Sequence, residues 1–236
     1  MRLSNEEIQY WSGRKHGTPH FHSSVVSAFV KGFQTTGNKD YLNFASKVQE
    51  AMDAGFPNNF EDHFVCKFTI GRYLLGLSAL MQTPLKEKFL PSVRKALKFL
   101  LPLQHESGAF ISGVHGDLSG STFETGIMCS DEDEITDNLY TNNYLGMALQ
   151  MIDPQEAGFN VDVCEKLLDF QASIQDSCKI GSVQGGWTRA FNLRTGDPFA
   201  FNGDIGWGPY CMLTGWSNSV ISLSLLMKLT GEKIIL

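Results

Sequence analysis

The segment DHFVCKFTIGRYLLGLSALMQTP, residues 62–84, indicates the fold class most clearly. Asp62 supplies a side-chain acceptor suited to capping a helix. The Thr83-Pro84 pair ends the helical pattern, because proline lacks the backbone N–H that a continuing helix needs. Between these ends, apolar side chains occupy almost every side of the helix instead of a single stripe. Such a segment predicts a helix that is buried all round.

Seven segments with helical periodicity follow one another along the chain, and they are of two alternating kinds. The first, third, fifth and seventh are apolar nearly all round, whereas the second, fourth and sixth are amphipathic with a charged outer face. Their predicted starts are at or near Thr18, Lys39, Asp62, the residues after Pro84, Thr136, Val161 and Thr214. Gly37 and Gly231 are predicted to end the first and the last. Short strand hairpins are expected at Phe110-Ile111 and in 186–191.

A repeat lies behind this alternation. Phe68, Tyr144 and Val220 take comparable places on three of the apolar segments, at two successive intervals of 76 residues. Inner helices that alternate with outer helices predict an all-α protein, an (α/α) toroid of helical hairpins, with residues 1–236 as one domain. A simple four-helix bundle would not need seven helices of two kinds.

The predicted toroid is incomplete. A ring of six hairpins has twelve helices, and the periodicity yields about seven. An open arc exposes the apolar flanks of its first and last hairpins, and apolar patches of that size usually meet a partner. The expectation is therefore self-association, or a further chain segment that covers these flanks.

Composition excludes several classes of protein. Hydrophobic residues make up 42% and charged residues 19%, as in soluble globular proteins, and the net charge of −6 without a basic stripe argues against nucleic acid as a partner. No run approaches the ~20 apolar residues of a membrane helix, and the N-terminal residues lack a signal-peptide pattern. The five cysteines show no CxxC spacing. These features favour a reduced, cytoplasmic setting without a metal site over a disulfide framework.

The starts of the apolar segments are markedly polar. They are Pro19–His22, Glu61–His63, Asp137–Asn142 and Trp216–Asn218. Since burying polar groups costs free energy unless they are satisfied, four such starts at one end of the inner helices predict a wet, functional cleft. The alternative is that their hydroxyls and carboxylates are ordinary helix caps.

Loop sequences add a resemblance to a known group of proteins. The Gln-polar-Gly-aromatic pattern of 104–110 returns in 175–187, and 185–190, 195–198 and 206–210 look like the loops of six-hairpin glycosidase-like proteins. The resemblance implies a carbohydrate-active enzyme, which hydrolyses a glycosidic bond or acts on a uronate-containing saccharide. It also places the site at the N-terminal ends of the inner helices.

Sugar chemistry of this kind needs two carboxyl groups, one protonated and one ionised. Asp137 and Asp204 are the predicted catalytic pair, since Asp137 heads a buried helix and Asp204 lies among aromatic residues that raise a carboxyl pKa. Asp204 as a turn cap is the alternative. The acidic run 131–134 is taken as a solvated loop, with calcium binding as the other reading. The predicted substrate-binding residues are His20, His22, His63, Tyr140, Asn142, Trp187, Arg189, Trp207, Tyr210 and Trp216.

Other functions remain open alongside this one. A sugar epimerase would depend on the histidines more than on the carboxylates, and a toroid without catalysis would bind a glycan or a protein. A prenylating enzyme would need an Asp/Cys/His zinc set, which the sequence does not offer. No GxGxxG, P-loop or GxSxG motif occurs, and no cofactor is expected.

Overall fold

The computed structural model describes residues 23–55, 63–115, 128–129, 134–175, 185–199 and 215–235. Within these ranges the chain forms seven long helices and one short one, so the all-α prediction is confirmed. In chain order they are α1 (Ser23–Thr36), α2 (Lys39–Gly55), α3 (His63–Leu80), α4 (Lys86–Leu100), α5 (Asn142–Met151), the short α6 (Pro154–Ala157), α7 (Asp162–Ser173) and α8 (Gly215–Thr230).

The ends of the first and last helices lie where the glycines predict them. Gly37 follows α1 and Gly231 follows α8, each with a φ of 71°. Each glycine N–H donates to the carbonyl four residues earlier, at 2.7 Å from Phe33 and 2.9 Å from Met227. This left-handed conformation costs glycine little, because it has no Cβ, and it stops the helix.

The described strands are short and lie outside the helical core. β1 (Val114–His115) pairs in parallel with β2 (Met128–Cys129). An antiparallel sheet of three strands has the order β3 (Ile135–Asp137), β4 (Ala190–Asn192) and β5 (Asp197–Phe199). The predicted hairpin in 186–191 is thus a β4–β5 hairpin shifted a few residues along the chain, whereas Phe110 forms an isolated bridge with Gln104.

The predicted start of the fifth helix at Thr136-Asp137 is wrong. These two residues belong to β3, where Thr136 pairs with Phe191 and Asp137 with Ala190. Helix α5 begins five residues later, at Asn142. A polar pair before an apolar run is typical of a helix cap, and here the same residues instead find backbone partners more than 50 residues away in the chain.

The long helices pack in two layers. Helices α1, α3, α5 and α8 lie side by side in chain order, each against the next, while α2, α4 and α7 pack on α1, α3 and α5 respectively. A single cluster of buried apolar side chains runs through the helices. The contact order agrees with the alternation of apolar and amphipathic segments along the chain, and α1, α3, α5 and α8 are called the inner helices below.

The inner helices differ in how fully they are buried. Almost every described side chain of α3 and α5 is shielded from solvent, as predicted. Helix α1 buries one face, through Ser23, Val26, Ser27 and Val30. On α8, Leu226 is 46% exposed and Leu229 is 84% exposed. The prediction that all four inner helices are enclosed all round is therefore wrong for the two at the ends of the row.

None of the helices in the described ranges is long and apolar enough to cross a membrane. Among the cysteines, Cys164 is buried and free. Burial raises the pKa of its thiol to about 12, so it behaves as a small apolar side chain. The side chain of Cys66 lies outside the described part of the chain.

Candidate functional site

Asp137 stands at the junction between β3 and the turn that leads into α5. Its backbone N–H donates to Ser112 Oγ at 2.7 Å. Its Oδ1 atom accepts from the amides of Leu139 at 2.7 Å and Tyr140 at 3.1 Å. One carboxylate oxygen therefore caps the turn before α5, as the capping alternative predicts.

The second oxygen of Asp137 has a different environment. The residue is 1% exposed, and Oδ2 has no hydrogen-bond partner among the described residues. Burial is the largest influence on this carboxyl and raises its pKa, and the positive charges of Arg189 and Arg72 oppose that effect without cancelling it. The environment thus favours the protonated form, which a general acid must supply.

Arg189 reaches the site through backbone pairing. The N–H of Asn138 donates to the carbonyl of Arg189 at 2.7 Å, and Asn138 Nδ2 donates to Thr188 O at 3.3 Å. These bonds hold the residue that precedes β4 beside the end of β3. The side chain of Arg189 is 8% exposed, and its guanidinium carbon lies 5.8 Å from the centre of the Tyr140 ring.

Arg72 arrives from helix α3. Its guanidinium carbon lies 4.8 Å from the ring centre of Tyr140 and 5.2 Å from that of Tyr144. Helix α3 comes so close to the turn before α5 that a Cβ on Gly71 would lie 2.3 Å from the Thr141 carbonyl oxygen. Thr141 Oγ1 also donates to the carbonyl of Lys67 at 3.1 Å. The glycine is therefore what lets Arg72 meet the two tyrosines.

Tyr140 lies between these charges and is half-buried. Burial and then the Asp137 carboxylate raise the pKa of its phenol, while Arg189 and Arg72 lower it by less. The phenol of Tyr140 therefore keeps its proton at neutral pH.

Asn142, predicted to bind substrate, has a structural role here. It is fully buried, and its Nδ2 lies within hydrogen-bond distance of the Phe110 carbonyl, Thr136 Oγ1 and the Asp137 carbonyl, at 3.0, 2.6 and 3.2 Å. Its Oδ1 accepts from the N–H of Phe110 at 2.8 Å. With its amide occupied in this way, Asn142 positions Asp137 and offers no polar atom to a ligand.

Trp187 is likewise a packing residue in this structure. It is 3% exposed, and its Nε1–H donates to the carbonyl of Gln171 at 2.6 Å. Its ring belongs to a small buried cluster with Phe170, Ile174, Phe191 and other apolar side chains. This placement favours ordinary loop packing over the prediction that Trp187 stacks on a sugar.

The repeated Gln-Gly-aromatic pattern has the same geometry in both copies. Gln104 Nε2 donates to the carbonyl of Gly108 at 3.0 Å, and Gln175 Nε2 donates to that of Gly185 at 2.9 Å. Both glycines have positive φ, 97° and 86°.

Each turn is then tied to the start of the next inner helix. The N–H of Phe110 donates to Asn142 Oδ1 at 2.8 Å, and the N–H of Trp187 donates to Asn218 Oδ1 at 2.7 Å. Asn142 and Asn218 are 76 residues apart, the interval of the sequence repeat. The pattern therefore marks a repeated structural joint between an outer helix and the following inner helix.

Several predicted site residues lie outside the described part of the chain. They are His20, His22, Asp204, Trp207 and Tyr210. His63 and Trp216 lie at the starts of α3 and α8, and their side chains are also outside the description. A common cleft that holds Asp137, Asp204, Trp187 and Trp216 with at least one of the three histidines therefore stays a prediction.

Sequence reasoning missed Arg72 and Tyr144. The available signal was a positively charged side chain in the middle of a segment that is apolar on almost every side, since arginine is mostly exposed in proteins. Periodicity shows that Arg72 departs from the apolar pattern. It does not show which residues Arg72 contacts, so the pattern alone did not reveal its place in the site.

A separate cavity of about 300 Å³ lies at the opposite end of α5. It is lined by the C-terminal ends of α5 and α8 and the start of α7, including Ile152, Cys164 and Lys228. Helix α5 has ten residues, so this cavity is about 15 Å from the Asp137 end. No group of three His, Cys, Asp or Glu side chains in the described ranges is arranged to hold a metal ion.

Compared with protein-family models, curated proteins and solved structures, the chain matches none.

Proposed function

We propose that this protein is a carbohydrate-active enzyme of the (α/α)-toroid type, in which Asp137 donates a proton to the oxygen of a glycosidic bond. The observation that carries the proposal is that the two oxygens of the Asp137 carboxyl group have different environments. Oδ1 holds the turn before α5, while Oδ2 is buried without a described partner in surroundings that raise the pKa.

The chemistry supports this role. Cleavage of a glycosidic bond needs a carboxyl that is protonated near neutral pH, and burial is the usual way in which a protein keeps one so. The backbone amides of Leu139 and Tyr140 fix the carboxyl in one orientation, which is the arrangement that a proton donor needs. The second carboxylate of the proposed mechanism is Asp204.

The architecture supports the proposal as well. The four inner helices contact one another in a row, and each except the last has an outer helix packed on it. This arrangement is compatible with an arc of a toroid. Asp137 lies in β3, five residues before the start of the inner helix α5, and so near the end of the inner helices where the resemblance to six-hairpin glycosidases puts the site.

Asp137→Asn tests the proposal with little disturbance of the fold. Asparagine keeps a carbonyl oxygen for the two turn amides but cannot donate the proton. On a panel of neutral and uronate-containing oligosaccharides, we expect turnover by the wild type and a loss of at least about 10²-fold in the variant, with the melting temperature nearly unchanged.

Two further variants make the outcome decisive. Asp137→Ala removes the cap as well and is expected to lower the melting temperature, whereas Asp169→Asn removes an exposed carboxylate of α7 and is expected to change neither activity nor stability. Full activity in Asp137→Asn would contradict the proposed role. Saccharide binding by the wild type without turnover would instead favour the second candidate, a glycan-binding toroid, in which Asp137 serves as a cap alone.

A further inference from the structure

Ser112 lies along the edge of β3 that faces away from β4. On the β4 side, the carbonyl of Glu134 accepts from Leu193, and the N–H of Asn138 donates to Arg189. Because every second residue of an antiparallel strand bonds to its partner strand, the backbone groups between these two positions alternate in direction. The residues that point away from β4 are Ile135 and Asp137, and both of them bond to Ser112.

The hydroxyl of Ser112 takes the place that a backbone carbonyl has in a sheet. The N–H of Ser112 donates to the carbonyl of Ile135 at 2.9 Å, and its Oγ accepts from the N–H of Asp137 at 2.7 Å. Ser112 is 2% exposed and Asp137 is 1% exposed, and a buried N–H that loses its acceptor costs free energy. The Ser112 side chain therefore holds the Asp137 backbone in place from the segment after α4, 25 residues earlier in the chain.

This bond completes a set that holds every polar atom of Asp137 except one. The Asp137 carbonyl oxygen lies 3.2 Å from Asn142 Nδ2, and Oδ1 accepts from the amides of Leu139 and Tyr140. Oδ2 has no hydrogen-bond partner among the described residues. With its other three polar atoms held, the position of Oδ2 is fixed, and proton transfer to a bound substrate depends on such a fixed geometry.

We propose that Ser112 is a positioning residue of the Asp137 site, which acts through the Asp137 backbone and does not touch the substrate. The proposal rests on the proposed function for the reaction that Asp137 carries out. The effect of Ser112 on the carboxyl group can nevertheless be measured without any substrate.

NMR titration of the Asp137 carboxyl carbon in the full chain tests this effect. Burial raises the pKa of this carboxyl above 3.8, and the charges of Arg189 and Arg72 oppose the rise. Ser112→Ala leaves the Asp137 N–H without its acceptor, which loosens the end of β3 and admits water to the carboxyl. We therefore expect the titration midpoint to fall towards 3.8 in this variant. Ser112→Thr keeps the hydroxyl and is expected to keep the midpoint of the wild type.

Two further variants separate positioning from a general loss of stability. Ser78→Ala removes a buried hydroxyl of α3, whose Oγ donates to the Leu75 carbonyl at 2.8 Å, and is expected to leave the Asp137 midpoint unchanged. Ser112→Cys keeps a weak acceptor, so an intermediate midpoint is expected. If Ser112→Ala does not fold, Ser112→Cys decides, and a wild-type midpoint in that variant overturns the proposal.

Kinetics supply the second measurement. On a saccharide that the wild type turns over, Ser112→Ala is expected to lower kcat about tenfold or more with KM nearly unchanged, because a misplaced proton donor affects the transition state more than substrate binding. An unchanged kcat, or a raised KM alone, overturns the positioning role.

The outcomes distinguish this proposal from the proposed function. A midpoint that Ser112→Ala leaves unchanged overturns the role of Ser112, even if Asp137→Asn abolishes turnover. A midpoint that falls in Ser112→Ala and is restored in Ser112→Thr supports the role of Ser112, and if the wild type turns over no saccharide, the enzymatic proposal alone is overturned.

Discussion

The side chain of Asn142 holds the backbone of Phe110 by two hydrogen bonds in opposite directions. The N–H of Phe110 donates to Oδ1 at 2.8 Å, and Nδ2 donates to the carbonyl of the same residue at 3.0 Å. The side-chain amide of Asn142 thus makes the two hydrogen bonds to the Phe110 backbone that a neighbouring strand would make in a sheet. This bond pair joins the loop after α4 to the start of α5, five residues after Asp137.

Asn142→Asp is therefore expected to destabilise the protein strongly. A carboxylate accepts but does not donate, so the contacts to Phe110 O, Thr136 Oγ1 and Asp137 O lose their donor in a fully buried place. We expect a loss of about 2–4 kcal/mol in the free energy of unfolding, measured by urea denaturation. Asn38→Asp, at an exposed residue whose Oδ1 accepts from Asp40 N, keeps its acceptor and is expected to cost less than about 0.5 kcal/mol. Similar losses at both positions would contradict the role of Asn142.

Alanine substitutions at two glycines with positive φ distinguish the cost of backbone strain from the cost of steric overlap. At Gly108 the φ is 97° and a Cβ would lie 2.2 Å from the Lys166 carbonyl oxygen, whereas at Gly158 the φ is 80° and nothing lies within 4 Å. Gly158→Ala is expected to cost about 1–2 kcal/mol, the penalty of the left-handed conformation alone. Gly108→Ala adds the overlap with α7 and is expected to cost about 3 kcal/mol or more. Chemical denaturation of the two variants measures the difference, and equal losses would mean that α7 does not press on this turn.

The buried carboxyl of Asp137 makes stability depend on pH. Burial raises its pKa above the ordinary value of 3.8, so the folded protein holds the proton more tightly than the unfolded chain does. This contribution is complete below pH 3.8 and is lost as the pH rises through the folded pKa. Asp137→Asn has no such proton, so its free energy of unfolding relative to the wild type is expected to rise between about pH 4 and about pH 8.

Urea denaturation of both proteins at the two pH values measures this difference. Asp169→Asn, at the exposed carboxylate that accepts from Lys228, provides the control for a change of net charge alone. An offset between Asp137→Asn and the wild type that stays constant or moves in the opposite direction would contradict the effect of burial.

Trp187→Phe distinguishes core packing from a role in sugar binding. The change removes the donor to the Gln171 carbonyl and leaves a gap among Phe170, Phe191 and their neighbours. We expect a loss of about 2 kcal/mol in the free energy of unfolding, while the affinity for any saccharide that the protein binds is unchanged. A variant with the stability of the wild type and weakened saccharide binding would restore the prediction that Trp187 stacks on a sugar.

Local patterns were enough to predict the number and order of the long helices within the described ranges. The apolar run in 62–84, the break at Thr83-Pro84 and the glycines at 37 and 231 depend on residues within a few positions of one another. Helical periodicity and helix termination both depend on residues close together in the chain. The local sequence is therefore enough to predict them. The Gln-Gly-aromatic repeat was visible for the same reason.

The site depended on contacts that no local pattern contains. Asp137 became a strand residue because it pairs with Ala190, and Arg72 reaches Tyr140 because Gly71 lets α3 come close to the turn before α5. Which segments are helical, and which of their faces are apolar, follows from the local sequence, because these are short-range properties of the backbone and side chains. Which polar groups cap a turn, and which lie near the buried carboxyl, follows from the packing of the whole chain, because residues far apart in the sequence set the burial and charge around each group.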